Sequence, residues 1–142
     1  MAGKVVTCSS CGTKVRVPAV ASGTPRCPSC KAWLPWVADA GDADFDQVAD
    51  SSRVAVLVDL WATWCQPCRQ VSPALEKIAA EYAGRLKLVK VDIDQARGIA
   101  ERFSVQAVPT LMLFEGGREV SVQRGALPLN ALRSWVGSSL KP

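Results

Sequence analysis

Histidine is absent from all 142 residues of the chain. That absence excludes Cys-His and Ser-His nucleophile pairs and every metal site with an imidazole ligand. Proton transfer is left to carboxylates, lysines, thiols or water. Long apolar runs are missing too: none approaches the roughly 20 residues that span a bilayer, so no membrane partner is expected. The opening "MAGKVVTCSS" has one lysine but neither an apolar stretch nor a small-residue cleavage site. No secretory signal is therefore expected, and a cytoplasmic location is. In a reducing cytosol the six cysteines point to metal binding or redox catalysis rather than to a framework of structural disulfides. The chain has no nucleotide-binding motif, so no nucleotide cofactor of its own is expected. It has no repeat beyond a Cys-x-x-Cys spacing.

Apolar residues are plentiful, at 49% of the chain, enough for one ordinary domain with a small appendage. The net charge of +4 is concentrated at one end. Residues 1–40 carry Lys4, Lys14, Arg16, Arg26 and Lys31 against Asp39 alone, whereas the 12 basic and 12 acidic side chains of residues 41–142 cancel. Nucleic acid is not expected as a partner, because there is no basic run and no interleaving of aromatics. The local surplus suits a metal ion held by four thiolates, a group of charge −2 that cations offset.

The composition shifts near residue 40. The stretch "WVADAGDADFD" (36–46) turns from basic to acidic and small residues and reads as a linker or as the lead-in to a larger domain. Beyond it the periods alternate. "VAVLVDLWA" (54–62) is almost continuously apolar, as in a strand buried on both faces. Val71, Leu75, Ile78, Ala79 and Tyr82 recur at helical spacing, and Gly84 is placed to end that helix. "LKLVKVDID" (86–94) predicts a second buried strand and "QARGIAERF" (95–103) a short helix. "TLMLF", "EGG" and "REVSVQR" predict a hairpin, and Leu129, Leu132, Val136 and Leu140 a last helix opening near Pro128. The expected fold is α/β: a mixed central sheet flanked by helices, with a small N-terminal module ahead of it. The boundary is placed between residues 1–35 and 36–142.

Three Cys-x-x-Cys pairs occur, and they are two devices. Cys65 and Cys68 lie where the buried strand gives way to the amphipathic helix, in "WATWCQPCRQ". Unpaired N–H groups and the partial positive charge of a helix N-terminus stabilise a thiolate at Cys65. Cys68, one turn on, is within disulfide reach, and Pro67 falls in the first turn, where its missing N–H costs nothing. That is a redox pair. Asp59, inside the apolar strand, is desolvated, which raises its pKa and suits a base that takes the Cys68 proton. Pro73, inside the helix, removes one backbone bond and bends it.

Cys8/Cys11 and Cys27/Cys30 sit instead in turns rich in Ser, Pro and Gly, with 15 residues between Cys11 and Cys27. That layout fits a tetrahedral four-cysteine site for one zinc ion, with iron as the alternative metal. A segment of this size buries too little apolar surface to fold unaided, and metal binding supplies the missing free energy.

"VDLWATWCQPCR", "VKVDID", "VPT" and "RGA", in that order and spacing over residues from about 36 to 140, resemble the thioredoxin family. The resemblance implies a thioredoxin fold with Cys65 as the exposed attacking thiol and Cys68 as the shielded resolving thiol. It implies that Val108 and Pro109 form a cis-proline loop facing the dithiol and that Gly125 keeps the neighbouring groove open. Trp64, Gln66 and Pro67 complete the rim, and Lys90 is the implied partner of Asp59. With the four-cysteine module, nearly the whole chain resembles the zinc-containing thioredoxins of the thioredoxin 2 type found in bacteria, which usually have glycine where Gln66 stands. The expected function is a protein-disulfide reductase acting on disulfide-containing client proteins. By the same resemblance, an NADPH-dependent thioredoxin reductase recharges it. The rival readings are a thiol oxidase or isomerase and a redox-sensing zinc adaptor.

Overall fold

A computed structural model describes residues 3–21, 23–51 and 53–140. The chain begins with a small antiparallel sheet of β1 (Lys4–Thr7) and β2 (Lys14–Val17). There follow β3 (Trp36–Asp39), a single turn α1 (Phe45–Val48), β4 (Ala55–Trp61) and the long helix α2 (Gln66–Glu81). The second half contains β5 (Leu86–Asp92), α3 (Arg97–Arg102), β6 (Thr110–Glu115), β7 (Arg118–Arg124) and α4 (Leu129–Ser139). β3 to β7 form one sheet in the order β3-β5-β4-β6-β7. β4 runs parallel to β5 and antiparallel to β6, so the sheet is mixed as expected.

Because side chains alternate along a strand, the central strands split the core into two layers. Val56, Val58 and Leu60 of β4 join Val89 and Val91 of β5 against Phe45, Val48 and Ile99. Leu57, Leu86, Leu88, Leu111 and Leu113 face the other way, onto Val71, Leu75 and Ile78 of α2 and Leu132 and Val136 of α4. Burial on both faces explains why β4 reads as an unbroken apolar run. Each fully buried Leu or Val contributes about 1.5–3 kcal/mol, so the pairing of α2 to the sheet is strongly determined. Asp59 falls on the α2 side by the same alternation. That single fact places it under the redox pair.

Two expectations need correcting. The segment read as a linker or lead-in carries the edge strand β3, which pairs in parallel with β5 from Trp36↔Lys87 to Asp39↔Lys90. Its four residues are too few to show a period, and its partner lies some 50 positions away. The α2 helix ends at a C-cap on Tyr82, and Gly84 lies two residues further on, against the ring of Trp33.

The N-terminal segment is fastened to the sheet by polar as well as apolar groups. The Trp36 indole N–H donates to the Pro18 carbonyl at 2.9 Å. The buried Lys87 ammonium donates to the Ala19 carbonyl and lies 4.1 Å from the Trp36 ring centroid. Burial pulls Lys87 down to about 8, against the attraction of Asp50.

Candidate redox site and thiolate cluster

Cys65 is the N-cap of α2, in extended conformation, and its sulfur accepts the Cys68 amide N–H at 3.1 Å. One of the orphan donors of the helix terminus is thus spent on the sulfur. The two cysteines form a disulfide with Cα atoms 5.3 Å apart, within the usual span of roughly 4.4–6.8 Å. The loop before them is held by the Cys65 N–H on the Ala62 carbonyl at 3.2 Å and by the Arg69 guanidinium on the Thr63 carbonyl at 2.6 Å.

Cys65 is not exposed in this disulfide form: it retains 3% of its surface and Cys68 retains 2%. Trp61, Ala62, Ile93 and Val108 pack around both. The resemblance implied an exposed Cys65 thiol; Ile93 and Val108, from loops far along the chain, cover it here. The difference between the cysteines lies in the helix terminus at Cys65 and in the cavity beneath Cys68.

Trp64 is 68% exposed and its indole N–H donates to Asp94 at 2.9 Å, a partner the sequence did not indicate. Gln66 and Pro67 are exposed in the first turn. The Val108–Pro109 peptide is cis, and Val108 packs on the cysteines. The Thr110 hydroxyl closes this loop by donating to the Ala107 carbonyl at 2.6 Å. Gly125, at φ +92°, donates its N–H to the Pro109 carbonyl at 2.9 Å and faces open space. That φ is accessible to glycine and strained for other residues.

Behind the disulfide lies a cavity of about 100 Å³ lined by Asp59, Trp61, Cys68, Arg69, Ser72 and Lys90. Asp59 is 1% exposed, and neither carboxylate oxygen has a hydrogen-bond partner among the described residues. Burial pushes its pKa from 3.8 to about 7, with Lys90 pulling it down and Glu76 adding to the rise. Lys90 sits directly opposite Asp59 in the β4–β5 register. Its ammonium donates to the Ser72 hydroxyl, however, and lies 5.7 Å from the Trp61 ring centroid. The sequence reading passed over Ser72. Its spacing of four from Cys68 was the available signal, since it puts both on one helix face.

The other four cysteines converge. Their sulfurs all lie within 4.8 Å of one another, with Cys8–Cys30 and Cys11–Cys27 each at 3.6 Å. Four sulfurs bonded to one zinc ion stand about 3.8 Å apart, so this donor set fits such an ion with little movement. Two matching turns build it. The Gly12 amide donates to the Cys8 carbonyl and the Cys8 amide to the Thr13 carbonyl; Lys31, Cys27 and Ala32 repeat the pattern. Both turns place the residue after the second cysteine at positive φ, +77° at Gly12 and +67° at Lys31. Thr13, through its hydroxyl and then its amide, pulls the Cys11 thiol down to about 6. The Ala32 amide pulls Cys30 down too, but Cys8, burial, Cys11 and Cys27 outweigh it and push that thiol up to about 12. A cation among sulfurs this close offsets the mutual repulsion of thiolates. These cysteines could hold a metal ion.

No helix among the described residues is long and apolar enough to cross a membrane. Residues 36–138 match the family model for thioredoxin. A thioredoxin of Haemophilus influenzae is 38% identical over 99 residues, which are 70% of this chain and 92% of that protein. Thioredoxin 1 of a Nostoc species is 43% identical over 103 residues, 72% of this chain and 96% of its own. A thioredoxin of Pyropia yezoensis is 42% identical over 100 residues, 70% of this chain and 94% of its own.

Proposed function

The chain belongs to the thioredoxin family and is a thiol–disulfide oxidoreductase, and on that premise we propose that it works as a protein-disulfide reductase of the zinc-containing thioredoxin 2 type. In the reduced protein the Cys65 thiolate attacks one sulfur of a client disulfide. The client S–S bond breaks, one client thiolate leaves, and a mixed disulfide joins client to Cys65. Cys68 then loses its proton to Asp59, attacks the Cys65 sulfur and expels the second client thiolate. The client gains two electrons, and the protein is left with the Cys65–Cys68 disulfide of this structure. The observation that carries this reading is the placement of that disulfide on a helix N-terminus, beside a buried carboxylate that has no hydrogen-bond partner among the described residues.

The remaining residues have supporting parts. The loop of Val108 and Pro109, held by Gly125, and the exposed Trp64, Gln66 and Pro67 offer the client a docking rim beside the sulfurs. Lys90 tunes the field at Asp59. Cys8, Cys11, Cys27 and Cys30 would hold one zinc ion per chain, whose contribution is to the folding of residues 1–35 rather than to electron transfer. Residues 36–142 then form the redox domain. A cytoplasmic NADPH-dependent thioredoxin reductase regenerates the dithiol, since the chain shows no nucleotide-binding motif of its own.

Cys68→Ser and Cys65→Ser variants, each reduced and then mixed with disulfide-bonded insulin, test this scheme on non-reducing gels. Cys68→Ser should accumulate the mixed disulfide, because its resolving thiol is gone. Cys65→Ser should not. Equal trapping by both variants overturns the assigned order of attack.

A further inference from the structure

Ser72 has no part in the exchange cycle above, yet its hydroxyl lies in the cavity that Asp59 and Cys68 share. It sits one turn beyond Cys68 on the face of α2 whose other members, Val71 and Leu75, are buried. The half-buried hydroxyl accepts a hydrogen bond from the Lys90 ammonium at 2.5 Å. Lys90 has an obvious alternative. It leaves β5 directly opposite Asp59 and on the same side of the sheet, and the two side chains line one cavity. An ammonium there would ordinarily close onto a buried carboxylate. It does not: both Asp59 oxygens are without a hydrogen bond among the described residues.

We propose that Ser72 is a positioning residue whose hydroxyl holds the Lys90 ammonium away from Asp59. Resting on the reading of Asp59 as the base for Cys68, this keeps the carboxylate free to receive a proton. A direct ion pair would commit it to the charged state and weaken it as a base. The groups that face Asp59 are few. Lys90 comes from β5, and Cys68, Arg69 and Glu76 come from α2 with Ser72; β6 presents Leu111, which cannot titrate. Lys90 is thus the cation whose position Ser72 controls. Removing the hydroxyl should send it to the carboxylate.

The test follows the Asp59 carboxyl by carbon NMR through a pH titration of the full-length oxidised protein, with Asp59→Asn to assign the signal. Ser72→Ala should lower the titration midpoint by about one pH unit or more, the effect of an opposite charge brought within contact distance. Ser72→Thr, which retains the hydroxyl, should titrate like the parent. Adding Lys90→Met to Ser72→Ala should return the midpoint to the parent value or above it, which a mere repacking of α2 would not do. An unmoved midpoint in Ser72→Ala, or an equal shift in Ser72→Thr, overturns the proposal. The pH profile of insulin reduction separates the two claims. A profile that shifts with the midpoint supports both. A midpoint that shifts while the profile stays put upholds the positioning of Lys90 and refutes Asp59 as the base.

Discussion

Replacing Asp59 with asparagine should make the protein more stable at alkaline pH and leave it no more stable in acid. The carboxyl titrates at 3.8 in its unperturbed state and at about 7 in the fold, chiefly because burial disfavours its charge. Between those pH values the folded chain keeps a proton that the unfolded chain has released. Stability therefore falls as pH rises through this window, by about 1.4 kcal/mol per pH unit and roughly 4 kcal/mol across it. Above pH 7 the folded protein carries the whole cost of a buried carboxylate without a hydrogen bond; below about pH 4 it carries none. Asparagine has the same size and no charge, so it removes that cost. It leaves an amide N–H2 in the cavity, and an unsatisfied buried donor costs about 1–3 kcal/mol. The net gain at pH 8 is then roughly 1–3 kcal/mol, shrinking to nothing or reversing at about pH 4. Guanidinium unfolding of the oxidised protein at about pH 4, 6 and 8 measures it, with tryptophan fluorescence as the signal and the disulfide closed so that no thiol couples to the carboxylate. A difference between the two proteins that is the same at all three pH values would falsify the argument, since it would show that Asp59 is not titrating in that window.

Gly125→Ala should weaken client reduction several-fold with the redox potential unchanged. Position 125 is at φ +92° and anchors the Pro109 carbonyl, and a residue with a Cβ costs about 1 kcal/mol or more there; titration against a glutathione buffer together with insulin kinetics checks both halves. If Cys8, Cys11, Cys27 and Cys30 hold the proposed zinc ion, a strong chelator should abolish hydrogen-exchange protection in β1 and β2 while β4, β5 and β6 stay protected. The central strands bury two apolar layers of their own, whereas the cluster of Cys8, Val17, Cys27, Leu34 and Trp36 is small and includes two of the four clustered cysteines. Joint loss of protection in both regions would show a single cooperative unit instead.

Unbroken apolar runs were enough to identify β4 and β5, and the spacing of apolar residues and turn glycines to identify α2, the hairpin and the last helix, because each of these signals is local. The two kinds of Cys-x-x-Cys were separable for the same reason: one follows a strand and opens a helix, the other two sit in turns. The apolar run "VAVLVDLWA" on both sides of it already made Asp59 a buried carboxylate, and the structure finds it 1% exposed. Edge strand β3 was not legible, since four residues paired with β5 carry no period of their own and owe their conformation to the partner. Nor was the covering of Cys65, which depends on Ile93 and Val108 arriving from two distant loops. The choice Lys90 makes between Asp59 and Ser72 lies furthest from the sequence. Long flexible side chains have several polar groups within reach, and only the packing of α2 across β4 and β5 decides which one they meet.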